Sequence, residues 1–230
     1  MATYPIVQVS IDVETIEKAL FIADKAVTAG VDWLEAGTPL ILSEGFHAVA
    51  SLRKRFPGHV IVSDQKTMDG GGLETEMAAK AGANVVVVMA AAHDATVKEA
   101  VKYGRQYGVK VMADILAVKD KVQRAREVED MGVDYIIVHT GFDERHYIPS
   151  ANPLQDLKAV LEAVHIPVQA VGGLNVEQAI ETLRLGAKLV VFGAPLVTRD
   201  DRFDVTDERF DTVLKEAVKM VKGAIIYKTR

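Results

Sequence analysis

Short apolar runs rich in β-branched residues alternate with longer amphipathic stretches along the whole chain. Stretches 6–12, 31–37, 59–64, 84–89, 109–114, 134–139, 166–171 and 188–193 read as strands, because Val and Ile crowd into them and turn residues bound them. Between and after them, 14–29, 43–55, 73–81, 94–107, 119–131, 153–163, 176–185 and 208–223 carry apolar residues at helical spacing. Strand starts recur at intervals of roughly 25 residues, the length of a βα unit. Several helices stop at a glycine just before the next strand, as in Ala29-Gly30-Val31 and Ala81-Gly82-Ala83, where a left-handed C′ residue ends the helix. Eight strand–helix pairs without a linker or a composition break predict an α/β protein, a single (β/α)₈ TIM barrel over 1–230, with 197–230 as closing helix and tail. An open doubly wound sheet is the alternative, and it usually has fewer strands.

In the first strand, Val7-Gln8-Val9-Ser10-Ile11-Asp12, apolar and polar residues alternate. In a barrel the apolar set faces the helices while Gln8, Ser10 and Asp12 line the interior. Barrel enzymes hold their chemistry at the C-terminal ends of the strands. Those ends carry Asp12, Glu35, Asp64 with Lys66, Asp114 and His139, while the fourth strand, ending in Met89-Ala90-Ala91-Ala92, brings nothing ionisable. Chance would scatter carboxylates over both rims; here they converge on one.

Each position has a plainer reading. Asp64 and Lys66, two apart and so on one face of a strand, could form a surface ion pair beside the turn that begins with Asp69-Gly70-Gly71-Gly72. Glu35 could close the turn at Gly37-Thr38-Pro39, and Asp12 and Asp114 could cap the following helices. Gathered at one mouth, however, such acids repel unless protons or a cation intervene, and an oxygen-rich cluster suits Mg²⁺, with Glu35 and Asp64 as metal candidates. His139, at the end of an apolar strand and facing acids, is placed for proton transfer. His47, His59, His93, His146 and His165 read as surface or packing residues. The glycines closing the last two strands, Gly172, Gly173 and Gly193, followed by Ala194, match the common barrel phosphate site.

Composition narrows the partners. A net charge of −5 without a dense basic run speaks against nucleic acid. No cysteine is present, so disulfides, thiolate metal sites and a cysteine nucleophile are excluded. No stretch reaches the roughly 18 apolar residues of a membrane span, and the first residues lack a secretory pattern, so a cytoplasmic protein without membrane partners is expected.

These residues resemble the orotidine 5′-monophosphate decarboxylase suprafamily and, within it, the 3-hexulose-6-phosphate synthases. The resemblance is carried by Ser10-Ile11-Asp12, the run from Asp32 to Leu40, Asp64-Gln65-Lys66-Thr67-Met68-Asp69, Ala81-Gly82-Ala83, Asp94-Ala95-Thr96, His139-Thr140-Gly141 and Val171-Gly172-Gly173, and it extends to about Leu196. The D-x-K-x-x-D motif marks only the suprafamily; with E-x-G-T-P-L and H-T-G-x-D it is narrower. The resemblance implies a barrel homodimer with shared active sites, in which Asp69 reaches into the partner's site. It implies a Mg²⁺-dependent aldol reaction between formaldehyde and a phosphorylated ketose, ribulose 5-phosphate. Asp12, Lys66, Asp69, Asp114 and His139 are then the candidate catalytic residues, Glu35 and Asp64 hold the metal, and Gly172, Gly173, Gly193 and Ala194 hold the phosphate.

Two departures stand out: Gln65 replaces a small or apolar residue, and Gly70-Gly71-Gly72 is richer in glycine than usual. The related 3-keto-L-gulonate 6-phosphate decarboxylases typically carry arginines where Phe142 and Ala194 stand, which favours the aldolase over a decarboxylase-like enzyme. A non-catalytic sugar-phosphate-binding protein is the alternative from another class.

Overall fold

The computed structural model describes residues 5–194 and 210–224. Eight parallel strands close into a barrel in chain order: β1 (Ile6–Ile11), β2 (Trp33–Ala36), β3 (Val60–Thr67), β4 (Val85–Met89), β5 (Lys110–Asp114), β6 (Tyr135–His139), β7 (Val168–Val171) and β8 (Leu189–Ala194). The ring closes where Ile6 of β1 pairs with Leu189 of β8. The helices are α1 (Ile16–Ala29), α2 (Thr38–Glu44), α3 (His47–Arg55), α4 (Gly71–Ala81), α5 (Asp94–Tyr107), α6 (Lys121–Asp130), α7 (Phe142–Tyr147), α8 (Leu154–Ala163), α9 (Val176–Leu185) and α10 (Phe210–Gly223). The predicted barrel is therefore the observed one. Among the described residues no helix is long and apolar enough to cross a membrane.

The period-two alternation of the strands sorts the core into two compartments. Val7, Val9 and Ile11 point outward into the layer between sheet and helices, where they meet Ile22, Ala26, Leu34 and Phe192. Inside the ring, Ile6, Trp33, Val62, Val85, Val87, Met112, Ile137 and Leu189 form a separate apolar plug. Above that plug the inward positions become polar, beginning with Gln169, whose amide donates to Gln8 Oε1 at 3.1 Å. Each fully buried large apolar side chain contributes about 1.5–3 kcal/mol, so the plug closes the lower barrel without polar help.

The structure corrects the sequence expectations in three places. The helix expected over 43–55 is two, α2 and α3, because Gly45 takes φ +61 between them and Pro39 starts the first turn earlier. Strand β3 does not stop at Asp64 but runs to Thr67, and its register against β4 shifts between Ser63 and Thr67. Lys66 lies within that irregularity at φ +49, a backbone region costly for a residue with a Cβ. The short helix α7 was not expected at all.

Two of the three consecutive glycines, Gly71 and Gly72, have a packing cause, whereas Gly70 takes φ +64 in open space. At position 71 a Cβ would fall 2.0 Å from the Thr96 carbonyl oxygen, and at 72 it would fall 2.7 Å from the Tyr103 ring, so α4 lies against α5 closer than side chains permit. The expected closing helix is α10, whose Leu214, Ala217, Val218 and Val221 are buried. Lys25 of α1 binds Asp211 at 2.6 Å. The charged segment 199–202 and the end 227–230 lie outside the described residues.

Candidate active site

At the C-terminal mouth lies a cavity of about 850 Å³, lined among others by Asp12, Glu35, Asp64, Lys66, Asp114, His139, Gly172, Gly173 and Gly193. Six ionisable groups expected from five strand ends thus meet on one cavity. Parallel register explains the meeting: Ser10 stands beside Glu35, and Met89 beside Asp114, so equal heights on neighbouring strands become lateral neighbours.

Two linked clusters result. Lys66 Nζ lies 2.6 Å from Asp64 Oδ2 and 3.7 Å from Asp114 Oδ2. Asp114 Oδ2 in turn lies 2.7 Å from His139 Nδ1, and its Oδ1 accepts from the Leu116 amide at 2.8 Å. Burial alone would raise the Asp114 pKa, but His139, Lys66 and that amide outweigh it and hold the carboxyl below its ordinary range. An ionised carboxylate only accepts, so Nδ1 of His139 carries the hydrogen and Nε2 is the nitrogen able to exchange a proton. Burial likewise opposes the charge on Lys66, yet Asp64 and Asp114 overcome it and raise its pKa, so the ammonium persists.

The second cluster is short of positive charge. Glu35 accepts from Gln8 Nε2 and, at 2.7 Å, from Ser10 Oγ. The Ser10 hydroxyl also lies 3.1 Å from Asp12 Oδ1, and with one hydrogen it serves one acid at a time. Burial, then the nearby Asp64 and Asp12, push the Glu35 pKa up to about 8. Burial and Asp64 push Asp12 up to about 6. The acids are crowded enough that position 37 must be glycine, since a Cβ there would fall 2.0 Å from Asp12 Oδ1.

These residues fit a divalent cation. Asp64 Oδ1 is buried without a hydrogen-bond partner, although Thr38 Oγ1 donates to its other oxygen at 2.9 Å. An oxygen left free beside acids that resist ionisation is where added positive charge would be most stabilising. Among the described residues no three acidic or histidine side chains cluster tightly enough to form a metal cage. Mg²⁺ needs none, since it keeps waters and takes one or two carboxylates with substrate oxygens.

The plainer readings of the acids fail on geometry. Thr15 caps α1 and Asp120 caps α6, so neither Asp12 nor Asp114 is a cap. Glu35 binds Gln8 and Ser10 rather than closing the following turn. Asp69 is exposed and off its own cavity, with Oδ1 accepting from the Gly70 amide at 2.7 Å. Ala194 ends β8 beside Ile11, and its side chain lies outside the described part. Gln65 does not line the cavity; its amide is buried with neither end hydrogen-bonded. His93 is exposed and caps α5 through Nδ1, as a surface residue. His146 is exposed, as a surface residue, and α7 also carries it to the cavity wall together with Arg145, which sequence reasoning missed. The available signal was Asp143-Glu144 two and three residues after Gly141, acidic residues suited to a helix start, with Phe142 and Arg145 three apart on one face.

A closed (β/α)₈ barrel with acids, a lysine and a histidine converging on its C-terminal mouth defines a barrel enzyme. The chain belongs to the orotidine 5'-phosphate decarboxylase / HUMPS family, whose profile matches residues 5–207. Over 192 residues it is 36% identical to a 3-hexulose-6-phosphate synthase of Mycobacterium gastri, an alignment covering 82% of this chain and 90% of that one. A crystal structure of a 3-hexulose-6-phosphate synthase superposes with a TM-score of 0.82 at 33% identity, covering 92% of this chain and 98% of the other. A 3-keto-L-gulonate-6-phosphate decarboxylase from Vibrio cholerae shares the fold, with a TM-score of 0.79, 24% identity and coverage of 96% and 99%.

Proposed function

We propose that the protein is a Mg²⁺-dependent aldolase joining formaldehyde to ribulose 5-phosphate, with D-arabino-hex-3-ulose 6-phosphate as product, and cleaving that product in reverse. The observation that carries this reading is the pairing of Lys66 with both Asp64 and Asp114 inside the cavity that also holds His139 and Glu35. Glu35 and Asp64 would hold Mg²⁺, which when bound supplies Lewis-acid charge for the ketose oxygens.

Forward reaction begins with removal of a proton from C1 of the ketose. His139 Nε2 is the group for that transfer, because Asp114 holds Nδ1–H and stabilises the imidazolium that forms. The resulting enediolate carries its negative charge near the Lys66 ammonium, a fixed cation that needs no rearrangement as the charge appears. C1 then attacks the carbonyl carbon of formaldehyde, forming one C–C bond, and the former carbonyl oxygen takes a proton to become the new hydroxyl. The Gly172-Gly173 and Gly193 loops, which line the same cavity, would bind the phosphate and orient the sugar.

The reading includes a homodimer with shared sites. Its support is the surface around Asp69, where Met68, Leu73 and Met77 are 54%, 63% and 46% exposed, an apolar patch suited to a second copy. Asp69 stands on that patch and not in its own cavity, as a residue serving a partner's site would.

Purified protein given ribulose 5-phosphate, formaldehyde and Mg²⁺ will consume formaldehyde, and EDTA will stop the consumption until Mg²⁺ is restored. Turnover that is indifferent to EDTA rejects the metal role. CO₂ release from 3-keto-L-gulonate 6-phosphate without formaldehyde consumption rejects the aldolase.

A further inference from the structure

The least expected part of the cavity wall is α7, and of the side chains it contributes, Phe142, Arg145 and His146, the arginine has no other assignment. Arg145 lines the cavity and lies against the turn after β7 so closely that a Cβ at position 173 would fall 2.0 Å from its Nη1 and 3.2 Å from its Nε. The guanidinium therefore occupies the space that a side chain at 173 would need. Phe142, one helical turn earlier, places its ring centroid 5.8 Å from Arg145 Cζ, within reach of a cation–π contact.

This arginine is not consumed by structure. Its Nε is buried and has no hydrogen-bond partner, and among the described residues no carboxylate pairs with it. Lys66, the other fixed cation among the described lining residues, is already held by Asp64 and Asp114. A buried, unmet guanidinium donor beside a glycine turn is an arrangement lacking an anion. Gly172 and Gly173 have φ +135 and +65, so this turn runs without side chains and lets an anion approach the main chain. The planar fork of arginine matches a phosphate with two parallel N–H···O bonds, which a lysine cannot reproduce.

Position in the ring gives the site its span. In an eight-strand barrel in chain order, β6 and β7 stand opposite β2 and β3. Arg145 and Gly173 therefore face Glu35 and Asp64 across the mouth, and an anionic group at the first pair is kept away from the repelling acids of the second. A short ketose with a terminal phosphate bridges such a mouth, with its reacting end at the acids and its charged end at α7.

We propose that Arg145 is the side-chain anchor for the substrate's phosphate and that α7 selects phosphorylated over unphosphorylated ketoses. The proposal rests on the aldolase reading for the identity of the sugar, and on the geometry alone for the anion. Its test uses the full chain with Arg145→Gln and Arg145→Lys. Formaldehyde consumption is measured against ribulose 5-phosphate and against ribulose, and inorganic phosphate is titrated by calorimetry. Losing a charge-assisted pair will raise the KM for ribulose 5-phosphate roughly 10–100-fold in Arg145→Gln, with kcat changed only a few-fold. Preference over ribulose will shrink, inorganic phosphate will bind the wild type more tightly than the variant, and Arg145→Lys will recover part of the loss. Unchanged KM and phosphate affinity, with formaldehyde still consumed, overturns the anchor and leaves the aldolase standing. A parallel fall of kcat, phosphate affinity and melting temperature that Arg145→Lys does not relieve also overturns it. Wild-type protein that consumes no formaldehyde but binds phosphate through Arg145 rejects the aldolase and keeps the anchor.

Discussion

The lower and upper halves of the barrel interior are built from the same strands and the same inward-facing alternation, yet they have opposite energetic characters. Below, Ile6, Trp33, Val62, Met112 and Leu189 form one buried apolar cluster. Above, Glu35 and Asp12 resist ionisation, Asp64 Oδ1 has no partner, and Lys66 sits in a costly backbone conformation. The lower half stabilises the ring, and the upper half uses that stability to keep like charges together. The contrast teaches that this mouth is arranged for a ligand, because strain and unmet polar groups persist only where the surroundings over-determine them.

The sharpest way to break the comparison is at Lys66. Lys66→Ala removes a fixed cation from the developing charge and will lower kcat by about 10²–10³-fold or more while the barrel stays folded, as circular dichroism will show. Asp69→Ala will be similarly impaired, and mixed dimers of the two variants will regain part of the activity if sites are shared. An absence of any regain removes the shared-site arrangement.

A change below should do the reverse. Met112→Ala, in the plug, will lower stability by about 2–5 kcal/mol in denaturant titration, while the folded fraction keeps its kcat/KM. A catalytic defect comparable to that of Lys66→Ala would show that the halves are not separable.

The smallest effect sharpens the electrostatic difference. Glu35 has a folded pKa of about 8 against an ordinary value of 4.5, so the unfolded chain loses this proton first. Its contribution is fully present below the ordinary value and is lost as pH rises toward 8. Asp12, raised to about 6, acts in the same direction at lower pH, whereas Asp114, with its depressed pKa, acts oppositely and only at acid pH. In EDTA, melting temperature will therefore decline between about pH 6 and 8, Glu35→Gln will flatten that decline, and Mg²⁺ will stabilise the wild type more than the variant. Identical slopes in both proteins would mean that Glu35 does not carry the effect.

Much of this was legible beforehand for a specific reason. Strand repeat, glycine stops and the rule that barrel chemistry sits at strand C-termini depend only on local order along the chain, and they located Asp12, Glu35, Asp64, Lys66, Asp114 and His139. The misses share the opposite property. Helix α7 has six residues, too few for a helical period to declare itself, and Arg145 acquires meaning only from Gly173 on the next strand's turn. Gly45 splits a helix that periodicity joined, and the β3 irregularity that sets Lys66 is resolved against β4. The triple glycine reads as a loose turn until Thr96 and Tyr103 of α5 are seen pressing on Gly71 and Gly72.

Taken by itself, the amino-acid order determined the βα repeat, which rim would be acidic and which residues would stand there, because side-chain direction in a strand alternates with a fixed period. Only the tertiary structure decided which oxygen faces which nitrogen: that Asp114 rather than Asp64 orients His139, that Asp64 keeps one oxygen free, and that Arg145 lies over Gly173. Those outcomes depend on separations across the ring, and electrostatic and hydrogen-bond energies change steeply over distances that no local pattern encodes.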